Sequence, residues 1–334
     1  MAAFESAIQQ AKAGQNLGVD QTSDLIDCML KGDASGDQIG DLLLALREKG
    51  EDVDELVGAA RAMRRHMTQI PHSHSVLLDT CGTGGSESGT FNISTAVAIV
   101  AAACGVAVAK HGNRKATSKT GSADVLAELG VSIESDANGV AKKLDEIGIC
   151  FCFAVKLHPA MKHVVGVRRK LGVKTLFNLL GPLCNPAGAT HQLLGASTAE
   201  AQAKVAAALR RLGTQRSFVV HGTDGQDEVS LGAETIAMDV TSAGANQQTW
   251  LPSDFGLSSV DKNSLAAEHP AESAQIIRRI FDGEPGPCRD TVLAGTAAGL
   301  LLVGKVDSLV DGVKQAADAI DSGAAKEKLA ALSN

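Results

Sequence analysis

The chain has 334 residues, of which 44% are hydrophobic and 21% charged, the proportions of an ordinary soluble globular protein of roughly two domains. Its 31 Lys+Arg against 38 Asp+Glu leave a net charge of −7, which disfavours a duplex-DNA binder, and eight Phe, one Trp and no Tyr leave few platforms for stacking single-stranded bases. The longest apolar run, Ala96 to Ala109, spans 14 residues. That is short of the roughly 20 needed to cross a bilayer, so it reads as a buried helix running into a strand.

From the N-terminus, apolar spacing predicts helices over Phe4–Ala13, Ser23–Leu30, Asp37–Lys49 and Asp52–Met67. Gly14, Gly32 and Gly50 fall between them, where helix C-termini are expected. The polar, proline-containing stretch 68–74 reads as a linker. Beyond it the period changes. Strands are expected at Ser75–Thr80, Val106–Ala109, Ile149–Ala154, Leu193–Ala196 and Arg216–His221. Helices are expected at Ser94–Cys104, Ala123–Leu129, Ala137–Ile147 and Ala199–Leu212, with a helical tail over Ala271–Ala331. Such alternation argues for an α/β domain with a mostly parallel central sheet. The segments Pro159–Leu171 and Thr175–Leu180 break the rhythm and are candidates to join the helical domain in space.

Four clusters carry possible chemistry. Asp79 to Thr95 runs from a strand end through the glycines 82, 84, 85 and 89 into a helix start, where backbone N–H groups and the hydroxyls of Thr90, Ser94 and Thr95 favour an anion. It matches neither the Walker A nor the dinucleotide fingerprint, so phosphate is suggested but a nucleotide is not. Lys110 to Asp124 is a second glycine-punctuated segment, rich in cations and hydroxyls, after the next strand. Asp227 and Glu228 follow a third strand, and adjacent carboxylates suit Mg²⁺ shared with a substrate phosphate. Arg168, on a basic helix, is equally compatible with a carboxylate anchor and with a surface cation. His72 and His74 lie in the linker and do not read as a metal pair. Cys150 and Cys152 alternate along an apolar strand, and the seven cysteines read as free thiols. No Gly-x-Ser-x-Gly elbow or His-Glu-x-x-His motif occurs.

Taken together, Gly82–Gly85 with Phe91–Thr95, Lys110–Arg114, Gly121–Asp124, His158–Met161, Phe177–Pro182, Asp227–Glu228 and the N-terminal Gln38–Arg47 resemble the anthranilate phosphoribosyltransferase family over nearly the whole chain. The resemblance implies a small all-helical domain, residues 1–67 completed by about 170–187, hinged to a larger α/β domain of residues 75–168 and 190–334. It implies a homodimer formed through the helical domains, and phosphoribosyl diphosphate (PRPP) and anthranilate as substrates. PRPP would be held by Gly82, Gly85, Ser86, Thr90, Asn92, Ile93, Ser94 and Thr95, by Lys110, His111, Gly112, Asn113, Arg114, Lys115, Ala116, Thr117 and Ser118, and by Ser122. Mg²⁺ would be held by Ser94, Asp227 and Glu228, and anthranilate by Gly82, Asn113 and Arg168. No dedicated acid or base is implied.

This chain departs from the family pattern at Ser86, where Asp is usual, at Lys115–Ser118, where Ser-Val-Ser-Ser is common, and at Gly166, where Pro is frequent. A nucleoside phosphorylase relative is the competing enzyme, but the chain lacks the length for the extra C-terminal domain of that branch. A non-catalytic nucleic-acid-binding relative is disfavoured by the acidic charge. With no leader-like N-terminus, the cytoplasm is the expected location.

Overall fold

The computed structural model describes residues 2–84, 88–115 and 120–334. Four helices come first: α1 (Ala2–Lys12), α2 (Val19–Lys31), α3 (Gly36–Lys49) and α4 (Val53–His66). Each carries an apolar stripe, and Ile26, Met29, Leu43, Leu46, Leu56 and Val57 meet in one fully enclosed cluster. Their starts are set by local polar chemistry. Ser35 caps α3 in a reciprocal pair with Gln38, and Asp52 caps α4 in the same way with Glu55.

Glu55 does more than cap. Its carboxylate is wholly buried and accepts from the backbone N–H of Leu17 (2.9 Å) and of Asp52 (2.8 Å) and from Lys49 Nζ (3.2 Å). One carboxylate thus ties two of the three connecting turns of the helical unit, α1–α2 and α3–α4, to α4.

The α/β part follows as β1 (Leu78–Gly82), α5 (Ile93–Ala103), β2 (Val108–Gly112), α6 (Ser122–Glu128), α7 (Ala137–Ile147) and β3 (Ile149–Phe153). After the short α8 (Ala154–Leu157) come α9 (Lys162–Leu171) and α10 (Phe177–Leu180). The chain re-enters the sheet as β4 (His191–Gly195), α11 (Ala199–Leu212), β5 (Arg216–Gly222), β6 (Thr235–Val240) and β7 (Ala245–Trp250). It ends with α12 (Pro270–Phe281), α13 (Pro287–Leu302), α14 (Leu309–Asp321) and α15 (Ala324–Ser333).

The sheet has seven strands in the order β3-β2-β1-β4-β5-β6-β7. The first five are parallel, and β6 and β7 are added antiparallel. Past its first turn α5 is apolar on every side and almost wholly buried, packed on α13, α15 and β1, as a helix without a polar face must be. The all-helical unit is not separate from the sheet: α4 packs on α11. Val164, Leu176, Phe177, Leu180 and Leu183 join the same apolar cluster as Leu43 and Leu56, and α9 packs on α2 and α3.

Two expectations need correction. No strand is expected over residues 235–250, yet they form the β6–β7 hairpin, whose turn is closed by Thr241 N–H on the Gly244 carbonyl (2.8 Å). β7 is nearly all exposed and polar, so it has no apolar run to announce it. In addition, β1 and β2 end at Gly82 and Gly112, beyond the expected Thr80 and Ala109. The residues expected on the turns therefore begin inside the strands. The expected free thiols are found: all seven cysteines are unpaired, and five are buried.

Because Glu55 is enclosed and multiply bonded, Glu55→Ala is expected to lower unfolding free energy by about 3–5 kcal/mol: the buried Lys49 ammonium keeps its bonds to Asn16 and the Gly50 carbonyl but loses its only carboxylate partner among the described residues, and two backbone donors lose their acceptor. Urea denaturation checks this, and a loss below about 1 kcal/mol would show that the turns hold without it.

Candidate active site

The order β3-β2-β1-β4-β5 places the strand-order reversal between β1 and β4, and ligands of open α/β sheets bind beyond the strand carboxyl ends at such a point. Gly82 and Gly195 end these two strands in register. The turns after β1, β2 and β5 converge there on one cavity of about 280 Å³. Gly82, Thr90, Asn92, Ile93, Ser94, Lys110, His111, Gly112, Asn113, Arg114, Ser122, Asp227 and Glu228 all line it. Thr95 and Lys115 do not: the Thr95 hydroxyl is bonded to the Asn92 side chain, and the Lys115 N–H donates to Asp124 (2.8 Å). Gly85, Ser86, Ala116, Thr117 and Ser118 lie outside the described residues.

The cavity exists because β1 and β2 part company early. They share one register pair, Leu78 with Val108, and beyond it side chains replace the ladder. The buried Asp79 carboxylate accepts the His111 N–H (3.0 Å), and Lys110 Nζ, 3% exposed, donates to the Thr80 carbonyl and to Ser94 Oγ (3.1 Å). Burial pushes the Asp79 carboxyl up and the Lys110 ammonium down from their usual values, while their mutual attraction opposes both shifts.

Facing Lys110 is the acidic pair. Burial, reinforced by Asp227, pushes Glu228 up to about 8, against the pull of Lys110 and the Ser94 N–H. The arch that carries the pair sits tight on the sheet. A side-chain carbon on Gly195 would lie 1.6 Å from the Asp227 carbonyl, and one on Gly82 would lie 3.2 Å from its carboxylate. Only glycine lets this backbone approach. These carboxylates form a hard-oxygen donor set whose electrostatic relief by a dication is the simplest available. Among the described residues no group of three or more His, Cys, Asp and Glu gathers, so such an ion would complete its shell from substrate and water, as Mg²⁺ commonly does.

Several supports were not legible as site residues. Asp124 holds the turn after β2 by accepting from Arg114 Nη1 (3.1 Å) and the Lys115 N–H. Residues 265–273 brace the other loop: Phe91 N–H donates to the Leu265 carbonyl (2.8 Å) and Asn92 N–H to Ser273 Oγ (2.8 Å). Thr83, Gly84, Thr120, Asn178, Gly181 and Pro182 complete much of the wall. Arg168 stands one side chain behind it. Its Nη2 donates to Asn178 Oδ1 (3.2 Å), its guanidinium lies 5.3 Å from the centre of the Phe177 ring, and its Nε is buried with no partner.

His111 and His158 form a buried pair with Nε2 atoms 3.2 Å apart. His111 Nδ1 faces the Gly181 carbonyl (3.0 Å) and so carries the proton, which makes its Nε2 the acceptor of the His158 N–H. Burial pushes His111 down to about 4 and, with His111 beside it, His158 down to about 3.

The domain pattern is shared with known proteins. A glycosyl transferase family model for the helical bundle domain matches residues 5–67, and the model for the a/b domain of that family matches residues 74–326. The fold and site therefore define a two-domain glycosyl transferase. An anthranilate phosphoribosyltransferase of Rhodopirellula baltica is 67% identical over 329 residues, covering 98% of this chain and 96% of its own. One from Anaeromyxobacter dehalogenans is 46% identical, covering 98% and 97%. The crystal structure of anthranilate phosphoribosyltransferase from Thermus thermophilus matches with a TM-score of 0.92 at 41% identity, over 98% of both chains. That of the Saccharomyces cerevisiae enzyme in complex with PRPP and Mg matches at 0.91 and 28% identity, over 99% and 97%. The chain belongs to the anthranilate phosphoribosyltransferase family.

Since both imidazoles are held neutral, the unfolded chain takes up protons near pH 6.5 that the folded chain refuses until about pH 4. Stability that is full above pH 6.5 is thus lost as pH falls through this window. The urea midpoint is expected to drop between pH 6.5 and 4, and to drop less steeply in His158→Asn. Equal slopes in the two proteins would remove the pair as the cause.

Proposed function

We propose that this chain transfers the phosphoribosyl group of PRPP to the amine of anthranilate, releasing diphosphate, in tryptophan biosynthesis. The observation that carries the reading is the meeting of Lys110, Ser94, Asp227 and Glu228 on one cavity at the strand switch point. The yeast enzyme matched above, in complex with PRPP and Mg, supports it. The homodimer through the helical domains and the cytoplasmic location implied by the family belong to the same reading. The relatives described above are phosphoribosyltransferases, which disfavours a nucleoside phosphorylase or a nucleic-acid binder.

In this reaction the nitrogen–C1 bond forms as the C1–oxygen bond to diphosphate breaks, so negative charge grows on the leaving group, and the attacking nitrogen sheds one proton to the departing diphosphate or to water. No side-chain nucleophile is needed, because the aryl amine is itself the attacking group. The protein's part is alignment and charge compensation. Lys110 offers a buried cation, and the backbone of the turns after β1 and β2 offers N–H donors. Asp227 and Glu228, with Ser94 beside them, would hold Mg²⁺, which when bound screens the carboxylates from the diphosphate. Arg168 is the anthranilate anchor in this reading: a half-buried guanidinium with an unpartnered Nε suits an incoming carboxylate. Asn113 and Gly82, both on the cavity wall, complete that subsite.

The fall of anthranilate fluorescence on adding PRPP tests the reading directly. Turnover is expected with Mg²⁺ and is expected to vanish on chelation; no turnover with all three present would overturn it. In the same assay Arg168→Ala is expected to raise the anthranilate KM roughly tenfold or more, about 1.4 kcal/mol, and the PRPP KM less than about twofold. Equal rises would remove Arg168 as the anchor.

A further inference from the structure

We propose that Asp224 is a positioning residue that fixes Asp227 and Glu228 by clamping the two ends of the arch that carries them. The proposal rests on the reading of Asp227 and Glu228 as metal carboxylates. Asp224 does not line the cavity, so its part would be played through the residues it holds.

Before the pair, the Gln226 N–H donates to Asp224 Oδ1 (3.3 Å) and Gln226 Nε2 to Asp224 Oδ2 (2.7 Å). After the pair, the Ser230 hydroxyl donates to Asp224 Oδ2 (2.9 Å). Gln226 Nε2 also reaches Ser230 Oγ (3.1 Å), so residues 226 and 230 are bonded to one carboxylate and to each other. Ser230 is fixed in turn. Its Oγ accepts from the N–H groups of Gly232 (3.0 Å) and Ala233 (3.2 Å), and its own N–H donates to Thr235 Oγ1 at the start of β6 (2.8 Å). The arch from 227 to 229 thus has both feet pinned, and its Asp227 carbonyl sits close against Gly195 at the end of β4.

The chemistry calls for a carboxylate at 224. Three donors converge on its two oxygens, and an ionised carboxylate is an acceptor only. Asparagine has the same shape but turns an NH₂ toward at least one of those donors. The carboxylate lies close against Gly222, where an added side-chain carbon would fall 2.6 Å from Asp224 Oδ1. Groups that orient metal ligands from behind typically change metal affinity 10- to 100-fold when lost.

The test titrates Mn²⁺ into the full-length protein with PRPP present, read by electron paramagnetic resonance, alongside the Mg²⁺ dependence of turnover. Asp224→Asn is expected to raise both metal midpoints about tenfold, to lower kcat at limiting Mg²⁺, and to leave the anthranilate KM within about twofold. Ser230→Ala is expected to move the midpoints the same way by a smaller factor. A merely structural role would instead lower thermal stability with the midpoints unmoved, and that result overturns the proposal. Should Asp224→Asn fail to fold, Ser230→Ala decides alone. Asp227→Asn separates the two levels: if it leaves Mn²⁺ binding unchanged, the metal reading itself fails. If it abolishes binding while Asp224→Asn and Ser230→Ala do not shift it, only the clamp fails.

Discussion

An ammonium group stands where a strand ladder ought to continue. Between β1 and β2 the backbone pairing stops at Leu78 and Val108, and Lys110 Nζ takes the Thr80 carbonyl that the missing ladder leaves over. The gap makes the cavity, and the cation that fills its base makes the cavity attractive to phosphate. The same ammonium reaches Ser94 at the entry of α5 and faces Glu228 from the turn after β5. Strand separation, helix placement and acid placement are thereby coupled through one charge. A buried cation is costly unless paired and bonded, and here Asp79, Glu228, a carbonyl and a hydroxyl share that work.

The rest of the molecule holds this arrangement in place. The body of α5 is held by apolar packing, and its first turn presents Ser94 to the cavity. Asp124 sets the turn after β2, residues 265–273 brace the loop after β1, and Asp224 with Ser230 ties down the arch after β5. On the opposite wall, the 177–182 segment brings Asn178, Gly181 and Pro182 to the cavity while its apolar residues are sunk in the helical core. The helical core and the cavity wall that Arg168 backs thus share one segment.

Much of this was legible in the residues. The period switch near residue 70 separated the helices from the alternating elements, and α7 and α11 have the very limits that their spacing predicted. The glycine-rich turn, the Lys110 cluster and the acidic pair were visible because polar chemistry is rare at the ends of apolar strands. What stayed hidden has physical reasons. β2 looked shorter than it is because Lys110 and His111 are polar residues buried within the strand, and a hydropathy pattern ends at such residues. β7 escaped because its outer face is solvated and polar, although Ala243 and Gly244 beside an alternating run were a usable hairpin sign. Of the supporting residues Asp124, Asn178 and Ser273, the last is joined to Asn92 by a hydrogen bond across a large sequence separation, which no local pattern encodes, and the first two bond across turns whose folding back hydropathy does not announce. Their own motifs named two of them only as parts of a family signature.

The coupling through Lys110 is most directly tested by calorimetric titration of PRPP with Mg²⁺ into Lys110→Met, which keeps the stem and removes the charge, with circular dichroism to verify the fold. Lys110→Met is expected to stay folded and to bind PRPP at least about tenfold more weakly, the scale of one lost charge-assisted contact. A folded Lys110→Met that binds PRPP as the unaltered protein does would contradict the coupling.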